Sequence, residues 1–341
     1  MIIYIRDEIN ENEYRTPIVP YDTLRLVNSG FTIYIKKSNK RIYPNSEYNK
    51  YIHLTEMEWN HQFFSNALII GLKDFDNLYS LYNHKHIYFS HSFKNQSNSI
   101  NVLTEFKKSN SHIYDLEYFL DSNNKRLVSF GIFAGYIGGF LGIYQYLKKT
   151  IEKTNIKNLK PFKNKNEMLK LLDIYNNKKF EKIKIGIIGH KGNCGKGVIQ
   201  LLNDLKIQYY IIDKNKNIDY SLFNIFYNCI LLNNQNICFF DKNTIFSKYI
   251  TIVDISCDVY SPNNPIYINN KITTWKQPVF EYNNNVDIIA IDNLPSLLPT
   301  ESSDYFSNKL TDLLMDFING DKNNYWKNAL NIYNDKIKFL E

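Results

Sequence analysis

The run KIGIIGHKGNCGKG (residues 184–197) constrains the fold more than any other part of the chain. An apolar stretch ends in Gly189, further glycines follow at Gly192, Gly195 and Gly197, and the amphipathic run VIQLLNDL comes next. A strand that turns through glycines into a helix belongs to a parallel sheet, because only a crossover of helix length returns the chain to a parallel neighbour. The start of such a helix offers unpaired N–H groups and a positive dipole end, and glycines let an anion approach the backbone closely. The spacing is G-x-x-G-x-x-G. A Walker loop is excluded, since residue 190 is histidine and Gly197 stands where a hydroxyl is required. The next apolar run, YYIID, ends in Asp213, about twenty residues further on, where a carboxylate accepts from both ribose hydroxyls and repels a 2′-phosphate. Strand, glycines, helix and acid in this order describe a dinucleotide site, with NAD favoured over NADP.

The strands IKIGIIG, YYIID, NCILL, YITIVDIS and VDIIAID then follow one another with helical spacing, as in a doubly wound domain. The first third of the chain shows the same alternation. IIYI, FTIYI (31–35), ALIIGL (67–72), HIYFSHSF (86–93) and HIYDLEYF (112–119) are expected strands, and residues 21–28 are an expected helix stopped by Gly30. Two α/β domains suit a chain of 341 residues. Between them lies LVSFGIFAGYIGGFLGIYQYL (127–147), uncharged and almost long enough to span a bilayer. Its five glycines point instead to a buried helix whose small residues allow tight packing between two domains.

The formal charge of +7 is spread over scattered lysines, without the compact basic stripe and interleaved aromatics of a nucleic-acid surface. The expected partners are therefore small molecules, with neither nucleic acid nor membrane. Cys194, Cys229, Cys238 and Cys257 form no C-x-x-C pair, so reduced thiols in a cytoplasmic protein are expected, with no metal site. A monomer is expected, with a dimer as the alternative.

Polar residues cluster where the first-domain strands end. Arg15 follows the first, Lys73 follows the third, and His91, Lys94 and Gln96 lie at the end of the fourth. Together they would direct a cation, an acid–base pair and an amide towards one crevice. The same stretches carry a family resemblance. R-x-x-x-x-P, GLK, HSFKNQ, YDLE, FGIFAG, the glycine turn, VDIS-x-D and above all IDNLPSLLPTESS (291–303) resemble, in order, the fungal-type NAD-dependent, L-lysine-forming saccharopine dehydrogenases. More distantly the chain is similar to alanine dehydrogenase and transhydrogenase.

That resemblance implies reversible oxidative deamination of saccharopine to lysine and 2-oxoglutarate, within lysine biosynthesis. It implies two Rossmann-like, doubly wound α/β domains with the active site in the inter-domain cleft. A discontinuous substrate and catalytic domain (1–129 plus 299–341) would surround an NAD-binding domain (130–298). The family's proton-transfer pair falls on Lys73 and His91. Its substrate positions fall on Arg15, Asp74, Lys94, Gln96, Glu117, Arg126, Phe130, Ser256, Cys257 and Asp258. Its cofactor positions fall on Lys125, Gly189, Gly192, Asn193, Asp213, Cys229, Ile255, Ile291, Asp292, Asn293 and Leu294. The chain departs from the family pattern at Asp74, where glutamate is usual, and at Asn193 and Lys125, where arginines are expected. Open alternatives are a relative acting on another amino acid, of the alanine dehydrogenase or lysine–ketoglutarate reductase type, and a dinucleotide-binding regulator without turnover.

Overall fold

A computed structural model describes residues 1–73, 75, 78–94, 98–175, 180, 182–212, 219–230, 237–338 and 340, with the main chain only at Lys94 and Ser221. The chain divides into two compact units, Met1–Ser129 with Pro299–Glu341, and Phe130–Leu298.

The first unit is built on six parallel strands: β1 (Ile2–Ile5), β2 (Thr32–Lys36), β3 (His53–Thr55), β4 (Leu68–Ile70), β5 (Lys85–Tyr88) and β6 (His112–Asp115). Their spatial order is β3-β2-β1-β4-β5-β6. The central strands β1 and β4 are apolar on both faces, as a sheet covered on both sides requires. Helix α1 (Pro20–Asn28) starts on a proline, whose missing N–H costs nothing in a first turn. It stops before Gly30, whose φ of +93° an L side chain rarely adopts. Helix α2 (Ser99–Lys108) crosses from β5 to β6. Strand β3 escapes sequence reading because three residues paired on one side carry no alternation. Strand β5 stops earlier than its apolar run suggests, and His91 just beyond it has a φ of +55°.

The second unit holds α3 (Gly131–Leu147), α4 (Lys165–Asp173), β7 (Ile185–Ile188), α5 (Asn193–Asp204), β8 (Tyr210–Ile212), β9 (Ile225–Asn228), β10 (Ile250–Asp254), β11 (Phe280–Asn283) and β12 (Val286–Ile289). The sheet order is β11-β12-β10-β9-β7-β8, parallel except for β11, which forms an antiparallel hairpin with β12. One expected strand shifts: the strand is IFYN, which ends at Asn228, the first residue of NCILL, and Cys229 and Ile230 lie beyond it. All four IFYN side chains are buried and its backbone pairs with both β7 and β10, whereas residues 231–236 lie outside the described set.

The long uncharged segment is the buried helix α3, and its glycines have a specific steric reason. A Cβ at Gly135 would fall 1.8 Å from the Cys194 carbonyl oxygen, and one at Gly197 would fall 1.9 Å from the Ile132 carbonyl oxygen. Helices α3 and α5 therefore touch backbone to backbone. On another side Gly138 meets Ile255 and Gly142 meets Tyr227, so the helix lies on the sheet as well. Among the described residues no helix is long and apolar enough to cross a membrane.

The C-terminal helices α6 (Pro299–Ile318) and α7 (Tyr325–Ile337) complete the first unit. Ser303 and Ser307 accept the N–H groups of Thr16 and Val19 at 3.0 and 2.9 Å, and the Ser307 hydroxyl donates to Asp22 at 2.6 Å. The serines of PTESSDYFS thus tie α6 to the entry of α1.

Candidate active site

In an open parallel sheet, ligands bind beyond the carboxyl ends of the strands, where the strand order reverses. In the first unit that point lies between β1 and β4. Lys73 follows β4, His91 follows β5, and Glu117 follows β6, so three residues far apart in sequence share one sheet edge. Glu117 is the hub. Its backbone N–H donates to Asp115 Oδ1 at 2.9 Å, which fixes the turn after β6. One carboxylate oxygen pairs with Arg126 Nη2 at 2.8 Å, and the other lies 3.8 Å from His91 Nδ1. The Glu117 side chain is 6% exposed, while His91 and Arg126 are 34% and 39% exposed, so a buried anion holds two groups that solutes can reach. Such an anion orients the ring that faces it.

Arg126 and Lys125 leave a turn closed by Asp121, whose Oδ1 accepts the Lys125 N–H at 2.9 Å, and by the bridge between Leu120 and Arg126. Arg15 is 4% exposed, and Glu13 takes its Nε and Nη2 at 2.7 and 2.5 Å. That is the edge with which a guanidinium grips a carboxylate bidentately. Glu13 was not among the residues singled out from the sequence, although its place two residues before Arg15 was a signal. Lys94 ends the short turn Ser92–Lys94 after β5. Asp74 and Gln96 lie outside the described residues.

Sequence reading also passed over the chain after β1. Glu8, 4% exposed, accepts the N–H of Leu72 at 2.7 Å and that of Lys73 at 2.9 Å, and Arg6 donates to the Lys73 carbonyl at 2.8 Å. Burial pushes the Glu8 carboxyl above its usual range, and the neighbouring Arg6 opposes that shift. The signal available was a basic and an acidic residue directly after a fully apolar strand.

In the second unit the order reverses between β7 and β9. Gly189 follows β7 with a φ of +84°, and Gly192 is the N-cap of α5. The three glycines meet different demands. A Cβ at Gly189 would lie 2.5 Å from the Cys229 carbonyl, and one at Gly195 would lie 2.3 Å from the Gly189 carbonyl. Gly192 has ordinary φ, and a Cβ there meets nothing nearer than 3.5 Å. The fold therefore demands glycine at 189 and 195, and leaves room for a side chain at 192. This matches the division of labour in a dinucleotide turn: one glycine for the turn, one for the pyrophosphate, one for packing. Asn193 opens α5 with no acidic residue in the first turn, and its Cβ lies 2.8 Å from where one on Gly131 would be. The amino end of α3, with Phe130 as its N-cap, thus reaches the amino end of α5.

The remaining residues line the same sheet edge. Cys229 follows β9 and its N–H donates to Ile188 at 3.0 Å, while burial pushes its thiol well up. Asp254 ends β10, is 1% exposed, and accepts from Asn228 Nδ2 at 2.9 Å, the Ser256 hydroxyl at 2.7 Å and the Cys257 N–H at 3.3 Å. That network shapes the turn through Ser256, Cys257 (φ +52°) and Asp258. Ile255 and Leu294 both close on Gly138. Ile291 bridges Thr273, Asp292 is exposed, and Asn293 caps the turn Leu294–Leu297. The carboxyl ends of β7, β9, β10 and β12 thus gather every described cofactor candidate except Lys125, which belongs to the first unit. Asp213 lies outside the described residues.

Residues 4–137 match the alanine dehydrogenase/PNT N-terminal domain. The chain is 30% identical over 366 residues to the NAD(+), L-lysine-forming saccharopine dehydrogenase of Schizosaccharomyces pombe, covering 99% of each chain. It is also 30% identical to the enzyme of the same name from Candida glabrata, covering 97% of this chain and 96% of that one. Among solved structures an L-alanine dehydrogenase superposes with a TM-score of 0.72 at 13% identity, covering 97% of this chain and 94% of the other. At that identity the likeness speaks for the fold alone.

Proposed function

The chain belongs to the NAD-dependent, L-lysine-forming saccharopine dehydrogenases, and from that premise we propose a division of labour among its residues. It is an oxidoreductase of lysine biosynthesis acting on a CH–NH donor, with NAD as cofactor and small molecules as substrates. The reaction consumes saccharopine, NAD and water and yields lysine, 2-oxoglutarate and NADH.

In this reading the first unit holds substrate and moves protons, and the second binds the dinucleotide. NAD supplies the hydride acceptor. The glycine turn fits it: Gly192 and the start of α5 receive the pyrophosphate, and the room at Gly192 supports this. Asp213 takes the ribose hydroxyls. Lys73, in its neutral form, accepts the proton of the substrate's secondary amine as hydride leaves the adjacent carbon. His91 takes a proton from water as it adds to the resulting imine, then returns one to the amine that departs when the carbinolamine collapses. Each such acid–base group contributes about 10²–10⁴-fold. Glu117 steadies the imidazolium that His91 passes through. Arg126 receives a substrate carboxylate from its exposed side, and Arg15 takes part in holding another. Lys94, Gln96, Asp74, Phe130 and the Ser256-Cys257-Asp258 turn complete the substrate contacts, and Lys125, Asn193, Cys229, Ile255 and Ile291 to Leu294 those of the cofactor.

The observation that carries this reading is the placement of Lys73, His91 and Glu117 after three adjacent strands of one sheet, with His91 and Arg126 both facing the Glu117 carboxylate. The test is NADH oxidation by purified protein with lysine and 2-oxoglutarate, beside a parallel reaction with pyruvate and ammonia. Oxidation with lysine alone supports the assignment; oxidation with pyruvate, or none with either, overturns it.

A further inference from the structure

The peptide that carries Lys73 is held in an unusual way. The last paired residues of β1 and β4 are Ile5 and Ile70. One step further the Arg6 N–H still donates to the Ile70 carbonyl at 2.9 Å, and the Gly71 N–H donates to Ile87 on β5 at 3.0 Å. The N–H groups of Leu72 and Lys73 are taken instead by the two carboxylate oxygens of one buried side chain, Glu8. From the opposite polarity, Arg6 donates to the Lys73 carbonyl. Its guanidinium reaches there by crossing Gly71, where a Cβ would fall 1.9 Å from Nη2. It also lies over the Phe75 ring, 4.7 Å from the centroid. A buried carboxylate and a buried guanidinium are costly to desolvate, and a plain strand extension would satisfy the same peptide groups with neutral partners. Charge-assisted bonds are shorter and more directional, so this arrangement fixes the main chain on both sides of Lys73 more tightly than a sheet edge does.

We propose that Glu8 and Arg6 are positioning residues for Lys73, a charged clamp that sets the direction in which the lysine side chain leaves the sheet. The inference rests on the reading of Lys73 as the proton acceptor, and it adds a cause for that group's placement. A misplacement on the order of 1 Å costs about 10²-fold in rate, so a clamp acting on the peptide itself has leverage on turnover.

Glu8→Gln is the sharpest probe. It preserves shape but offers one acceptor, so its amide NH₂ faces one of the two N–H groups. Turnover should fall roughly 10- to 100-fold, while NADH affinity, read by fluorescence titration, stays within about twofold. A structural defect could also lower turnover, so the deciding measurement is a double-mutant cycle with Lys73→Met. If Glu8 acts through Lys73, Glu8→Gln adds no loss in the Lys73→Met background. Gly71→Ala gives an independent route, because its methyl group displaces the Arg6 guanidinium without changing any charge, and it should show the same non-additivity. Should Glu8→Gln fail to fold, Gly71→Ala decides alone. Losses that multiply in full, or normal turnover in both clamp variants beside an inactive Lys73→Met, would overturn the clamp and leave the assigned function standing. Normal turnover in Lys73→Met would overturn the assigned base and the clamp with it.

Discussion

The two sheets present their carboxyl edges to very different ends. Along the first, the residues after β1, β4, β5 and β6 are Arg6 and Glu8, Lys73, His91, and Glu117. Along the second, the residues after β7 and β9 are Gly189 and Cys229, and the carboxylate that ends β10, Asp254, is consumed by its own neighbours. The first sheet is parallel throughout, and the second is parallel except for β11. Architecture selects the edge in each case, and the side chains placed there select the chemistry. One edge carries basic and acidic side chains; the other offers glycines and a helix amino end beside the Ser256-Cys257-Asp258 turn and Asp292.

If that contrast is right, the largest effect available is on the charged edge. Lys73→Met should lower turnover by about 10²–10⁴-fold, with NADH affinity unchanged in a fluorescence titration. A matching loss of NADH binding would erase the distinction between the two edges.

Much of this was legible in the sequence, and the limits have physical reasons. The glycine turn was readable because its residue types serve backbone geometry, which follows from spacing along one segment. Lys73 and His91 could be placed at strand ends, whereas Glu117 fell inside an expected strand and came only from the resemblance; that the three share one edge could not be derived, since it depends on which strands are neighbours. Strand order is invisible to local pattern. The NCILL run misled because a short apolar stretch beside a fully buried strand has the same periodicity as the strand itself. Glu8 and Arg6 escaped because charges after an apolar strand usually face solvent; only the β1–β4 pairing turns them inward. Strands β3 and β11 were missed because edge strands carry the least burial signal.

The next effect separates glycines that the fold needs from the one that a ligand needs. Gly197→Ala places a methyl group 1.9 Å from the Ile132 carbonyl, a backbone atom that cannot step aside cheaply. It should destabilise the second unit by about 1–3 kcal/mol or more, seen as a lower urea midpoint. Gly192→Ala meets only an ordinary contact, 3.5 Å from the Gly189 carbonyl oxygen, so its urea midpoint should match the wild type while NAD affinity falls by roughly tenfold or more. Equal NAD affinity in Gly192→Ala would remove the pyrophosphate from that position and leave the second edge without its ligand.

The smallest effect concerns the core behind the charged edge. His86 is fully buried in the first unit, stacked on Phe75 at 4.6 Å and edge-on to Trp59 and Phe106. Burial first, then the charges of Arg6 and His84, push its imidazole well below the usual range, and burial pushes His84 down to about 4. Both therefore stay neutral in the folded state while the unfolded chain protonates near 6.5. Between those values the unfolded state binds more protons, so stability rises with pH and is lost as pH falls through 6.5 towards 4. A buried imidazole that remains neutral forfeits at most about 2 kcal/mol between pH 7 and pH 5. His86→Leu removes its share while keeping an apolar side chain in the ring cluster. The stability difference between wild type and His86→Leu, measured by urea unfolding, should therefore shift in favour of the variant as pH drops from 7 to 5. The second unit has no described histidine except His190, next to the glycine turn, so the acid-sensitive core belongs to the charged side of the comparison. A pH-independent difference would mean that His86 titrates alike in both states, and that the charged edge is not backed by an acid-labile core.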